Sequence, residues 1–232
     1  MLIKHLVVLN GSINMSKLFR VLVTGSIGSG KTTACKLFEE LGVPVFYSDE
    51  AARSLMDTNP FIMMNVKKYF GDDIYVKKYD KKKVSVKEEL DRKKLAGIVF
   101  NDKEKLDRLN KIVHPWVGEA FKSFCFEYEH YSFKYPEVKY VIEEAAIAIE
   151  LGIQDKFDYI VVVTARESIR IERVMSRDNC TKEQVVERIN NQISEEERCS
   201  HADSIINNND IKNLEAQVKR VNKIILKKIK NL

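Results

Sequence analysis

The segment Gly25-Ser-Ile-Gly-Ser-Gly-Lys31-Thr32 constrains this chain more than any other stretch. It satisfies G-x-x-x-x-G-K-S/T at every position, between an apolar run (Val21-Leu-Val23) and a helix-forming run (Thr33 to Leu41). Strand, glycine loop and helix are the context this motif needs. The glycines at 25, 28 and 30 allow positive φ and close approach of the backbone to a ligand. The cradle so predicted is Gly25, Ser26, Ile27, Gly28, Ser29, Gly30, Lys31, Thr32 and Thr33. Its N–H groups, with the positive end of the following helix, point at an anion. Lys31 adds a point charge for β- and γ-phosphates, and the Thr32 hydroxyl can ligate Mg²⁺. A nucleoside triphosphate is the expected ligand.

With 232 residues, 44% of them hydrophobic, the chain suits one α/β core carrying insertions. A net charge of +5 is compatible with phosphorylated small substrates and too small to argue for nucleic acid. Two lysine clusters, Lys77 to Lys83 and Lys219 to Lys230, read as a solvated loop and a solvated helix face. Cys35, Cys125, Cys180 and Cys199 lack metal spacing and C-x-x-C pairs. They read as reduced thiols of an intracellular protein, and zinc is not expected. No apolar run approaches the ~20 residues that cross a bilayer. No Asp or Glu precedes Glu39, so residues 1–17 read as a short extension or, alternatively, as an organellar targeting segment; Met15 is a plausible alternative start. The expected location is cytoplasmic, and the oligomeric state is open.

Along the chain, the pattern is βαβ up to residue 53. Gly42 ends the first helix, Val43 to Phe46 reads as a strand, and Ser48 is a candidate cap for a helix opening on Asp49 and Glu50. Asn59-Pro60 breaks the chain. Residues 54–138 read as a mostly helical insertion. Leu95, Ile98 and Val99 share one helical face there, Leu106, Leu109 and Val113 another, and Gly71 to Val86 forms a charged hairpin. Buried strands resume at Lys139 to Ile142 and Tyr159 to Val163, and close at Ser204 to Ile206. Between the last two lies an arginine-rich helical lid, 166–199, with a capping box at Thr181 to Gln184. Leu214, Val218, Val221, Ile225 and Ile229 line a final amphipathic helix. The predicted fold is α/β, a three-layer parallel sheet, with its nucleotide-binding core at 18–53, 139–165 and 200–232.

The phosphate loop alone serves kinases, GTPases and ATPases. The chain has no N-K-x-D and no D-x-x-G, and Val141-Ile-Glu143-Glu144 only approaches the Asp-Glu strand end of motor ATPases. A compact kinase remains, which needs a carboxylate near the γ-phosphate. Asp49 is the leading candidate. It lies past the second strand, expected beside the phosphate-loop strand at the edge where open α/β sheets bind ligands. The bland alternative is a helix N-terminal charge. Arg53 is one turn on, and Glu144 is a weaker candidate for a water-mediated contact to Mg²⁺. Arg173 and Arg177 read as lid arginines that neutralise the transferring phosphoryl group. Arg166 and Arg170 read as surface residues paired with Glu167 and Glu172.

With these residues in place, the chain from about Leu18 onward resembles the dephospho-CoA kinase family, a group of P-loop kinases. The likeness rests on the order of several motifs. After the phosphate loop come L-G-V-P-V-F-Y-S-D-E-A-A-R (Leu41 to Arg53), F-G-D-D-I (Phe70 to Ile74), L-D-R-K-K-L-A-G-I-V-F (Leu90 to Phe100) and L-N-K-I-V-H-P-W-V (Leu109 to Val117). E-R-V-M-S-R-D (Glu172 to Asp178), R-I-N-N-Q (Arg188 to Gln192) and A-D-S-I-I-N-N (Ala202 to Asn208) follow. The resemblance implies transfer of the ATP γ-phosphoryl group to the ribose 3′-hydroxyl of dephospho-CoA. It implies Asp49, Lys31, Arg173 and Arg177 as catalytic, with Arg53, Arg92, His114 and Glu150 on the acceptor side. It also implies Asn207 near adenine, and an insertion that binds the acceptor. Two departures, Tyr47 for the first aspartate of D-A-D and Glu144 to Glu150 for D-x-P-L-L-F-E, fall on that acceptor side. A kinase of another hydroxyl and an ATP-binding module without an acceptor remain as alternatives.

Overall fold

A computed structural model describes residues 18–80, 85–99, 102–131 and 133–232. The expectations for the N-terminal extension and for the basic loop near Lys81 fall outside them. Five strands form one parallel sheet: β1 (Phe19–Thr24), β2 (Val45–Tyr47), β5 (Tyr140–Glu144), β6 (Tyr159–Thr164) and β7 (Ser204–Asn207), in the order β2-β5-β1-β6-β7. Helix α1 (Lys31–Glu40) and the C-terminal α9 (Leu214–Lys230) cover one face. Phe38, Val218, Val221 and Ile225 pack there against Val21, Val23, Ile142 and Val161. On the other face Val141 packs with Phe121 and Cys125, and Leu22 with Ala145 and Ala148, so both faces are dry and the strands are uninterrupted apolar runs.

The order corrects one expectation. β2 lies at the sheet edge beside β5, and β5 separates it from the phosphate-loop strand β1. β2 is also later and shorter than the apolar run suggests, because Val43 closes the α1 terminus by donating its N–H to Phe38 O.

Between β2 and β5 the chain builds a second apolar cluster from α2 (Ser48–Thr58), α3 (Pro60–Phe70), the hairpin β3 (Tyr75–Asp80) and β4 (Ser85–Leu90), α4 (Arg92–Val99) and α5 (Lys103–His130). Ile62, Val66, Ile74, Leu95, Val113 and Val117 form its centre. Asn59 caps α3 through its side chain, with Pro60 in the first turn. The hairpin starts later than expected, after a single helical turn at Asp72–Ile74. Leu106 is 41% exposed and leaves the apolar face that Leu109 and Val113 keep. Ser48 is not the cap of α2. Tyr47 holds that position with extended backbone, and the Ser48 hydroxyl donates to the buried Glu143 carboxylate.

Between β6 and β7 lie α6 (Glu167–Asp178), α7 (Lys182–Asn190) and α8 (Glu195–Ser200). Thr181 and Gln184 form the expected capping box on α7. Ile171, Val174 and Val185 make a small core of their own, against which Ile27 of the phosphate loop packs.

Candidate functional site

The loop between β1 and α1 forms a backbone cradle whose shape excludes side chains. A Cβ at Gly25 would lie 2.2 Å from Val163 O. At Gly30, where φ is +91°, it would lie 2.1 Å from the Asn208 side-chain amide. Lys31 Nζ donates to Gly25 O at 3.0 Å, folding the lysine over its own loop. Burial pushes the Lys31 ammonium below its ordinary pKa, and the Glu144 and Asp49 charges pull the other way. The Ser29 hydroxyl is buried without a partner among the described residues.

A cleft of about 1010 Å³ opens from this cradle. Ile27, Gly28, Lys31 and Thr32 line its floor, Tyr47, Asp49, Glu50 and Arg53 one wall, and Arg177, Gln184 and Arg188 the other. Asp49 stands in the first turn of α2 and faces the same space as Lys31 and Thr32. The intervening β5 adds Glu144, whose carboxylate accepts the Thr32 hydroxyl at 3.4 Å. Burial raises the Glu144 pKa, with Lys31 opposing. Among the described residues no group of three or more His, Cys, Asp and Glu side chains could hold a metal ion alone. Thr32 beside a single carboxylate suits Mg²⁺, which takes few protein ligands and completes its shell with phosphate oxygens and water.

Several predicted residues lie elsewhere. Thr33 is exposed on α1, outside the cleft lining. The Arg173 guanidinium is not in the cleft lining either; it donates to Asn208 O at 2.9 Å and Gly28 O at 3.5 Å, tying α6 to the cradle. Asn207 accepts the Asn209 N–H through its side chain, and its backbone is held by Gln217. The neighbouring Asn208 instead reaches the phosphate loop, donating to Ser29 O at 2.8 Å. Arg92 pairs with Asp57 and donates to Arg53 O, bracing α2 from outside the cleft. His114 is half-buried on α5; burial lowers its pKa and Asp49's charge opposes. Glu150 forms an ion pair at 2.7 Å with Arg198, which is fully buried and also donates to Ala146 O. Arg170, expected on the surface, is 5% exposed; it keeps the expected pairing with Glu167, at 3.7 Å, and its backbone lies close to Gly28.

Local patterns give no sign of two further contacts. Gln192 accepts the Ile27 N–H at 2.9 Å, and Glu195 accepts the Ser26 hydroxyl. Both reach the loop from the far end of the α6–α8 segment.

The dephospho-CoA kinase family profile matches residues 19–213. A dephospho-CoA kinase of Chlorobium luteolum is 37% identical over 190 residues, 82% of each chain. One from Listeria monocytogenes is 32% identical over 90% of this chain and 96% of its own. The crystal structure of TT1252 from Thermus thermophilus superposes with a TM-score of 0.69 at 27% identity, covering 91% of this chain and 97% of that one. A Campylobacter jejuni dephospho-CoA kinase shares the fold at a TM-score of 0.56 and 24% identity, over 89% and 96% of the two chains. A phosphate cradle, a facing aspartate and a helical cover over one cleft, carried by a sequence this similar, place the chain in the dephospho-CoA kinase family.

Proposed function

We propose that the cleft transfers the γ-phosphoryl group of ATP to the ribose 3′-hydroxyl of dephospho-CoA, giving CoA and ADP. The observation that carries this is the shared cleft: Asp49 faces the space above Lys31 and Thr32. In the step, the hydroxyl oxygen bonds to the γ-phosphorus, the bond from that phosphorus to the bridging oxygen breaks, and Asp49 takes the hydroxyl proton. Lys31 and the loop amides hold the phosphates in line, and Arg177 meets charge on the transferred group. Mg²⁺, when bound, withdraws charge from the phosphate oxygens; Thr32 would hold it, with Glu144 behind.

In this reading residues 54–138 bind the acceptor, with Arg53 at the boundary, and 166–199 form the lid. Arg92 acts there through α2, which it braces by donating to Arg53 O, and His114 lies on the acceptor side of Asp49, close enough to feel its charge. A cytoplasmic location accords with the four free cysteines. Among the described residues no helix is long and apolar enough to cross a membrane. A panel of hydroxyl acceptors at fixed ATP and Mg²⁺ tests the assignment. Dephospho-CoA should stimulate ADP release far above adenosine or simple alcohols, and equal stimulation by the others would refute it.

A further inference from the structure

Asp178 occupies an unfavourable place for a carboxylate. It is the last residue of α6, where the helix dipole disfavours negative charge. The helix stops there because Asn179 turns left-handed, at φ +49°. The compensation comes from two arginines on different helices. Arg177 donates from Nε to one Asp178 oxygen at 2.7 Å and from Nη2 to the other at 3.0 Å. Arg188, on α7, donates from Nη1 to that second oxygen at 2.6 Å. These pairings hold the Asp178 carboxyl down at about 2, so it is ionised at any working pH.

All three residues line the cleft that holds Lys31, Thr32 and Asp49. The arginine side chains are 62% and 40% exposed, so apart from Asp178 they have room to sample many rotamers. A guanidinium that meets a phosphoryl group in the transition state is effective only if already aimed.

We propose that Asp178 is a positioning residue for phosphoryl transfer, its carboxylate binding Arg177 and Arg188 into a single two-armed cation across the cleft from Asp49. The proposal rests on the phosphotransfer reading above. It adds Arg188 to the charge that meets the transferred group, and it makes the aim of both arginines depend on one carboxylate. The Asp178 charge also weakens their pull on bound ATP. Its removal should therefore lower turnover without weakening nucleotide binding.

The test is steady-state kinetics of Asp178→Ala, Asp178→Asn and Asp178→Glu, with ATP varied at saturating dephospho-CoA. For Asp178→Ala kcat should fall at least about 20-fold, with KM for ATP unchanged or lower. Asp178→Glu should recover part of the loss. Adding Arg188→Met to Asp178→Ala should cost less than the two single losses multiplied, because both remove the same aim. Apart from turnover, the Arg177 Nε–H should give a protected ¹⁵N-resolved signal in the parent that exchanges faster in Asp178→Ala. If alanine unfolds the lid, Asp178→Asn, which keeps the volume and one acceptor oxygen, reads the same split. A folded Asp178→Ala with kcat within twofold of the parent, a rise in KM at constant kcat, or an unprotected Arg177 Nε–H in the parent overturns the proposal. Absence of dephospho-CoA-dependent turnover in the parent itself overturns the phosphotransfer reading instead, and the exchange signal then still decides whether Asp178 holds Arg177.

Discussion

The side-chain amide of Asn208 donates to the Ser29 carbonyl at 2.8 Å, joining residues 179 apart in the chain. That bond pins the loop after β7 to the phosphate cradle. It also explains the need for glycine at position 30, where a Cβ would collide with the same amide at 2.1 Å. Asn208→Ala should cost about 1–3 kcal/mol, since Ser29 O loses a buried partner. Gly30→Ala should cost at least as much, because it adds positive-φ strain. Both should raise the Kd for ATP tenfold or more, read by calorimetry beside a thermal melt.

Arg173 and Arg177 should separate kinetically. Arg173 braces Gly28 O and Asn208 O outside the cleft, whereas Arg177 faces it. Arg173→Met should act mainly on KM for ATP and on Tm. Arg177→Met should lower kcat by about 10²-fold with Tm unchanged. The reverse pattern would exchange their roles.

Glu144 makes a prediction about pH. Burial raises its pKa above the ordinary 4.5, with Lys31 and Thr32 only partly opposing. The folded chain therefore binds this proton more tightly than the unfolded chain. Its contribution to stability falls as pH rises from 4.5 through the raised value. Glu143 is raised for the same reason and adds to the slope. Glu144→Gln should flatten the decline of Tm between about pH 4.5 and neutrality while phosphotransfer falls. A Tm profile parallel to the parent's would contradict the account.

Glu150 and Arg198 test a residue that the family resemblance puts with the acceptor. Arg198 is fully buried, and Glu150 is its carboxylate partner. Glu150→Ala leaves a buried cation unpaired, at a cost of roughly 3–5 kcal/mol. Glu150→Gln keeps an acceptor and should cost less. At temperatures where Glu150→Gln is folded, KM for dephospho-CoA should stay within about twofold of the parent. A large rise would return Glu150 to the acceptor side.

The phosphate loop, the sheet strands and the α9 stripe are legible in the sequence because each is local: a motif with its flanks, a β-branched run, a helical period. What joins them is less so. β5 lies between β1 and β2 because the crossovers run that way, and nothing in the apolar run at Lys139 to Ile142 encodes its neighbours. Asn207 and Asn208 differ by one residue, but Asn207 ends β7 and Asn208 opens the loop beyond it, and only Asn208 meets Ser29. Arg170 reads as a surface residue from its charge and spacing, yet it is buried where the phosphate loop, at Gly28, approaches its backbone. Gln192 and Glu195 grip Ile27 and Ser26 from 165 and 169 residues away along the chain, contacts that no local pattern announces.

Asp49 facing the cradle of Lys31 and Thr32 is the relationship on which the proposed chemistry rests. Its most direct test is ADP release from ATP and Mg²⁺, with and without dephospho-CoA, in the parent and in Asp49→Asn. Release should depend on dephospho-CoA in the parent and fall about 10²- to 10⁴-fold in Asp49→Asn, with ATP affinity preserved. Full dephospho-CoA-dependent release by a folded Asp49→Asn would contradict the assignment of Asp49 as the base.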